Sequence, residues 1–195
     1  MLILKPTKNQ DDEIFTGSSA LLGWTVFGTV SIGHLNPPWN VSDGIHAIDL
    51  DGRNSFGSGV SQSFETAVGK QYQVQFDLSG NPGGGPAQKW VRVAVGEFTH
   101  DCRFEVLAGQ PIDEITWQRI HFSFEAADAV STLSFTSLSP TANSYGALID
   151  DGKVTGHVPD PGSLLLLLSL GLARLRACGK WWRCQQEALE GSELM

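Results

Sequence analysis

The chain has 195 residues, which is enough for one domain of ordinary size and a tail but too few for two domains that each bury a large core. Its 22 glycines and 9 prolines, beside 10 phenylalanines and 6 tryptophans, predict tight turns between aromatic-rich strands and argue against a helical bundle. The formal net charge of -8 argues against binding to nucleic acid phosphates, so we expect no nucleic-acid partner.

Apolar and polar residues alternate along much of the chain, most clearly from Tyr72 to Leu78. A period of two places one set of side chains on the buried face of a strand and the other set in water. The same alternation occurs, in chain order, at Trp24–Ile32, His46–Leu50, Val60–Phe64, Val91–Val95, Cys102–Val106, Ile120–Phe124, Leu133–Phe135 and Leu148–Val154. The pattern predicts an all-β fold of about nine antiparallel strands in a two-sheet sandwich, because turn sequences and no helical stretches separate the segments.

Most aromatic residues of such a sandwich belong to its core. Three are exceptions. Trp39 follows two prolines, Tyr145 lies in the loop Asn143–Gly146, and Trp90 is out of phase with the apolar residues that follow it.

Few residues suggest catalysis. Gly57–Ser58–Gly59 lacks the flanking spacing of a nucleophile elbow, and the five histidines never form a closely spaced pair. Cys102 is the only cysteine before the tail and is predicted to be a small buried apolar residue. We therefore expect a protein that is not an enzyme.

Two acidic stretches could bind a cation. Asp49–Asn54 places oxygen ligands at alternate positions before a glycine, as calcium loops do, but lacks the downstream glutamate of an EF-hand. The alternative for this stretch is a strand end followed by an Asp-Gly turn. At Asp150–Asp151 two adjacent carboxylates are costly unless water or a cation stabilises them.

The segment Asn81–Pro86 carries three glycines between two strands, so it is not the strand-to-helix loop that binds phosphate. It is either a wide, flexible hairpin connection or a rim loop whose bare backbone lets a ligand approach closely.

The order of the segments resembles a known family. In chain order the relevant segments are Gly23–Val26, Ala47–Gly52, Gly59–Phe64, Tyr72–Phe76, Leu78–Pro82, Gly84–Pro86, Trp117, Phe122–Ala126, Thr132–Leu138 and Tyr145–Asp150. This series is similar to the bacterial choice-of-anchor C family, which is related to the plant cell-wall domain of unknown function 642. The resemblance implies a galactose-binding-like jelly roll without enzymatic activity, in an exported protein.

The end of the chain differs from the rest. Residues 1–158 hold 9 basic and 17 acidic side chains, whereas the remainder holds 4 of each. Val158, Pro159, Asp160 and Pro161, followed by an apolar run and two arginines, resemble the Pro-Glu-Pro sorting signal that exosortases process. Asp160 replaces the usual glutamate, and the run of about ten residues is shorter than the ~17 that span a bilayer.

These observations predict an N-terminal segment over residues 1–19 with an incomplete first strand, a jelly-roll domain over 20–157 and a sorting tail over 158–195. No secretory leader is visible, because Lys5–Pro6 interrupts the first apolar residues.

The predicted function is binding of polysaccharide at the cell surface or in extracellular matrix. Trp39, Trp90 and Tyr145 would stack on sugar rings, and Asp49 and Asn81 would contact hydroxyl groups. We also expect a structural calcium ion near Asp150 and the beginning of the chain. The alternative is a structural or adhesive surface protein that contacts protein partners and has no sugar site.

Overall fold

The computed structural model of the chain describes residues 2–3, 13–17, 21–34, 40–53, 56–141 and 143–156. All of them belong to a unit of residues 1–157. Trp39 and the predicted processing residues Pro159, Asp160 and Pro161 lie outside the described residues.

The described residues form twelve β-strands and include no helix long and apolar enough to cross a membrane. The strands are β1 (Leu2–Ile3), β2 (Glu13–Phe15), β3 (Thr25–Phe27), β4 (Thr29–His34), β5 (His46–Asp49), β6 (Gly59–Glu65), β7 (Gln71–Gly80), β8 (Gln88–Val95), β9 (Phe98–Glu105), β10 (Gln118–Glu125), β11 (Val130–Ser137) and β12 (Ala147–Gly156). The predicted all-β class is confirmed.

The strands pair into two sheets, and every pair is antiparallel. The seven-stranded sheet has the order β10-β7-β12-β5-β4-β2, with β1 beside β12. The five-stranded sheet has the order β3-β6-β11-β8-β9.

The core lies between the two sheets and follows the predicted period of two. On β7, Val74, Phe76 and Leu78 are fully buried, and Phe76 meets Phe135 of the opposite sheet with ring centroids 5.0 Å apart. Cys102 is buried among these apolar residues as predicted.

The structure has more strands than the sequence pattern predicted. The segment Trp24–Ile32, predicted as one strand, is β3 in the five-stranded sheet and β4 in the seven-stranded sheet. Gly28 separates them with φ 68°, a left-handed conformation that favours glycine. The alternation continues across the break, so the pattern could not reveal the change of sheet. The remaining additions are the short β1 and β2, and β2 buries Ile14 against the core.

Several strand ends meet at one end of the sandwich. Ala147 at the start of β12 pairs with Gly80 at the end of β7, and Leu148 pairs with Asp49 at the end of β5. We call this region the loop end; its described residues are 50–53, 56–58, 81–87, 138–141 and 143–146.

Candidate functional site

Four polar side chains are buried where the strands enter the loop end: Asp49, Asp51, Asn81 and Lys89. They come from three different parts of the chain and together form what we call the polar cluster. Burial of charged and amide groups is costly unless they have partners, so their contacts decide what the cluster can do.

The carboxylate of Asp49 is hydrogen-bonded to the surrounding loops. Its carboxylate accepts hydrogen bonds from the Asn81 Nδ2 (2.7 Å), the Gly146 backbone N–H (3.0 Å) and the Asp51 backbone N–H (2.9 Å). Gly146 allows this approach, because a Cβ at that position would lie 2.6 Å from Asp49 Oδ1. The strand end at Asp49 is therefore tied to the loops before β8 and before β12.

Burial raises the pKa of Asp49 to about 7, because removal of water penalises the charged carboxylate. The hydrogen bonds from Asn81 and from the backbone oppose this rise, and the neighbouring charge of Asp51 adds to it. Near neutral pH, Asp49 is therefore close to its titration midpoint.

Lys89 lies on β8 in phase with the buried valines, so its side chain points between the sheets. Its Nζ donates to the Gly84 carbonyl (2.8 Å) and to the Tyr145 carbonyl, and thus joins two loops. Gly80 leaves room for the stem, because a Cβ there would lie 2.6 Å from Lys89 Cγ. Burial lowers the pKa of Lys89, and the charges of Asp49 and Asp51 oppose that shift.

Asp51 is fully buried, and neither carboxylate oxygen has a hydrogen-bond partner among the described residues. Burial raises the pKa of Asp51, and the positive charge of Lys89 opposes this rise. Asp51 and Lys89 therefore offset each other's charge without a direct ion pair.

Tyr145 is an aromatic side chain of the loop end that lies beside this cluster with 39% of its surface exposed. Its ring lies against the backbone of Gly83 and Gly84: a Cβ on Gly83 would lie 2.8 Å from Tyr145 Cε1, and one on Gly84 would overlap the ring. The loop is fastened further by Asn143, whose Nδ2 donates to the Gly85 carbonyl. Gly83 and Gly84 therefore let the loop pack against the tyrosine ring, whereas a Cβ at Gly85 would meet open space.

Three of the five residues predicted to bind ligand lie together at this end: Asp49, Asn81 and Tyr145. Asp49 and Asn81 are buried, and their polar atoms bond to the protein itself. Trp90 lies on the outer face of the five-stranded sheet, with the Arg103 guanidinium 5.7 Å from its ring centroid. Direct contact of any of these residues with a ligand stays a prediction.

The sequence analysis missed Lys89, although a signal was present. Continuing the alternation of Val91 and Val93 backward places Lys89 on the buried face. A lysine at such a position requires acceptors inside the protein, which the polar cluster supplies.

A second polar network lies on the outer face of the seven-stranded sheet. Asp150 accepts backbone N–H bonds from Ser42 (2.9 Å), Asp43 (2.9 Å) and Asp151 (2.7 Å). Burial raises the pKa of Asp150 to about 6 despite these bonds. The donors occupy most lone pairs that a cation would use.

The carboxylate of Asp77 is held by Arg119 through two hydrogen bonds of 2.9 and 3.0 Å and by the Ser42 hydroxyl. Among the described residues, no three His, Cys, Asp or Glu side chains are placed to hold a metal ion. The expected calcium ion near Asp150 and the beginning of the chain stays a prediction.

The described residues define an antiparallel β-sandwich whose loop end is held together by buried polar groups and carries one exposed tyrosine ring. The sequence profile of a family described as "Protein of unknown function (DUF642)" matches residues 4–155. The chain belongs to this family, which confirms that part of the resemblance; membership of the choice-of-anchor C family stays a prediction.

Two solved structures are similar to this chain. The structure of TmCBM61 in complex with β-1,4-galactotriose matches with a TM-score of 0.50 at 19% identity, over 70% of this chain and 90% of that one. A family 35 carbohydrate binding module from an environmental isolate matches with a TM-score of 0.46 at 15% identity, over 80% and 94% of the two chains. The first of these likenesses confirms the predicted jelly-roll sandwich.

One curated relative is Halomucin from Haloquadratum walsbyi (strain DSM 16790 / HBSQ001), which is 27% identical over 153 residues. The match covers 75% of this chain and 2% of Halomucin. The chain therefore spans only a small part of that relative's length.

Proposed function

We propose that this protein is a non-catalytic module that binds polysaccharide at the loop end, at the cell surface or in extracellular matrix. The observation that carries the proposal is the exposed Tyr145 ring, which the backbone of Gly83 and Gly84 fixes in position. An aromatic ring that is already ordered can stack on a sugar without a large loss of conformational freedom.

The polar cluster favours sugar binding because it holds the loops of the site in place. Asp49, Asn81 and Lys89 connect the loops that carry Tyr145, Gly83 and Gly84, so the ring rests on a rigid base. The net charge of -8 favours a neutral polysaccharide over an anionic one. TmCBM61 was solved with β-1,4-galactotriose, which makes β-1,4-galactan the first polymer to test.

The test is calorimetric titration of the full chain with β-1,4-galactan, pectin and bacterial exopolysaccharide. We expect Tyr145→Leu to weaken binding roughly tenfold, a loss of about 1.4 kcal/mol, because stacking on the ring is lost. Tyr72→Phe is the matched control: Tyr72 stacks on Phe124 and its hydroxyl accepts a bond from Ala67 N at the other end of the sandwich. Binding that is absent in the folded parent, or equal in the parent and Tyr145→Leu, would contradict the proposal.

The alternative function is adhesion to protein partners without a sugar site. Phe56 and Leu107 favour it, because they are 66% and 72% exposed and lie in or beside the loop end. In that case a Phe56→Ser and Leu107→Ser double variant would lose capture of the partner protein, while no polysaccharide would bind the parent.

We further propose that the protein is exported and that an exosortase-type enzyme processes the tail at Pro159, Asp160 and Pro161. Mass spectrometry of the C-terminal peptide from a native cell-envelope fraction tests this. A C-terminus near residue 160 is expected, and an envelope-located chain that still ends at Met195 would contradict it.

A further inference from the structure

A row of glutamines on the outer face of the seven-stranded sheet has no role in the site at the loop end. Gln73 and Gln75 lie on β7 opposite in phase to the buried Val74 and Phe76, so they point away from the core. β7 lies between β10 and β12. In register, Gln75 pairs with His121 and Lys153, and Gln73 pairs with Ser123 and Thr155. We call these six residues the glutamine face.

The two glutamines retain unused hydrogen-bonding capacity. Neither amide has a hydrogen-bond partner among the residues that the structure describes, whereas Gln71 beside them donates to Glu125 (3.0 Å). Each amide offers two N–H donors and a carbonyl acceptor, and a sugar hydroxyl can use both kinds of group. In contrast, the amide of Asn81 at the loop end bonds to the protein itself.

The face is bounded where β7 approaches the loop end. Ser42 and Asp43 are hydrogen-bonded to Asp150 and Asp77, so this short segment lies over the outer surface at Asp77, the residue that follows Gln75 on the same face of β7. Trp117 joins the same boundary, because its indole N–H donates to the Asn40 carbonyl (2.9 Å). The glutamine face is therefore a sheet surface that this boundary limits at one end.

Acidic side chains outnumber basic ones at this boundary, where Asp43, Asp77, Asp150 and Asp151 lie with Arg119 and Lys153. Arg119 forms a two-bond ion pair with Asp77, and Lys153 pairs with Asp151. Free amides beside an excess of carboxylates favour an uncharged, hydroxyl-rich chain over an anionic one.

We infer that the glutamine face is a second binding surface, which takes an extended segment of a neutral polysaccharide lying along β7. The inference rests on the proposed function, because the ligand class is the same, but it assigns binding to a different part of the molecule. The glutamine face measures about 7 Å along β7 from Gln73 to Gln75, at ~3.4 Å per residue, and about 10 Å across its three strands, at ~4.8 Å per strand. A surface of this size favours oligosaccharides over single sugars.

The experiment compares four forms of the full chain: the parent, Gln73→Ala with Gln75→Ala, Tyr145→Leu, and Gln88→Ala. Gln88 is the matched control, because it is an exposed glutamine on β8 in the other sheet. Each form is titrated with the polysaccharide that binds the parent most tightly and with a series of its oligosaccharides. Thermal unfolding of each variant confirms that the fold is intact.

We expect the double glutamine variant to bind the long oligosaccharides and the polymer at least tenfold more weakly, with little change for the shortest ligand. Gln88→Ala should bind like the parent. Equal binding by the parent and the double glutamine variant, with Tyr145→Leu impaired, would overturn the second surface and leave the proposed function standing. Absence of polysaccharide binding in the folded parent would overturn both.

Discussion

At the scale of single residues, the structure of the loop end depends on Lys89. The ammonium group satisfies the carbonyls of Gly84 and Tyr145 and supplies the positive charge near Asp49 and Asp51. A buried lysine is costly in isolation, but here two carbonyls accept its N–H groups and two carboxylates lie near its charge. Loss of Lys89 would therefore affect two loops and two carboxylates at once.

We predict that Lys89→Met lowers the free energy of unfolding by roughly 3–5 kcal/mol, because buried carbonyls and carboxylates lose their compensating group. Chemical denaturation measures the change. Lys70→Met is the control, since Lys70 is exposed and a surface change of this kind stays within about 0.5 kcal/mol. Equal losses for the two variants would show that the polar cluster does not depend on Lys89.

Gly84 is the second residue on which the site depends. A Cβ at this position would overlap the ring of Tyr145, so Gly84→Ala must displace the tyrosine or the loop. We expect a loss of roughly 1–3 kcal/mol in stability and a change in the near-ultraviolet circular dichroism of the tyrosine. Gly85→Ala is the matched control, because a Cβ added at Gly85 would have nothing within 4 Å of it. A Gly84→Ala protein that matches Gly85→Ala in both measurements would contradict the packing described.

At the scale of elements, the sequence pattern predicted strands well wherever one face is buried against the core. β7, β8 and β11 follow the period of two because their alternate side chains fill the space between the sheets. The pattern failed at Gly28, because the alternation of buried residues does not record which sheet a strand joins.

The polar cluster could be predicted only in part, for a related reason. Asp49 bonds to Asn81 and Gly146, which are 32 and 97 residues away in the chain. Composition and spacing identify candidate polar residues, but the return of β7 and β12 to the end of β5 is a property of the topology. For Lys89, the alternation places the side chain on the buried face of its strand, but it does not show which groups the side chain contacts.

The segment above the seven-stranded sheet offers a prediction at this scale. The backbone N–H groups of Ser42 and Asp43 both donate to Asp150, so Asp150→Ala leaves them without that acceptor. We expect faster amide hydrogen exchange at Ser42 and Asp43, because local opening no longer breaks these bonds. Nuclear magnetic resonance measures the exchange of each amide.

The control for this prediction is Asp101→Ala, which removes the exposed pair with Arg92 on the other sheet. Its exchange at Ser42 and Asp43 should equal that of the parent. Unchanged protection of the two amides in Asp150→Ala would indicate that Asp150 does not fasten the segment.

At the scale of the whole molecule, the buried carboxylates determine how stability depends on pH. In the folded state the pKa of Asp49 is about 7 and that of Asp150 about 6, against an ordinary value of 3.8 for both. Between 3.8 and these values the folded protein binds more protons than the unfolded chain, so stability falls as pH rises. Asp77 has a lowered pKa and acts oppositely, but only below 3.8.

We therefore predict that the melting temperature decreases steadily from about pH 5 to about pH 7. Each shifted group contributes a slope of about 1.4 kcal/mol per pH unit within its window, and each kcal/mol corresponds to about 2–4 °C for a chain of this size. Above about pH 6 Asp150 is ionised in both the folded and the unfolded state and no longer contributes to the slope, whereas Asp49 still does. Asp49→Asn should therefore flatten the curve mainly between about pH 6 and 7. Calorimetric melting of both proteins at constant ionic strength measures this, and a melting temperature that rises over the range would mean that water reaches these carboxylates in the folded state.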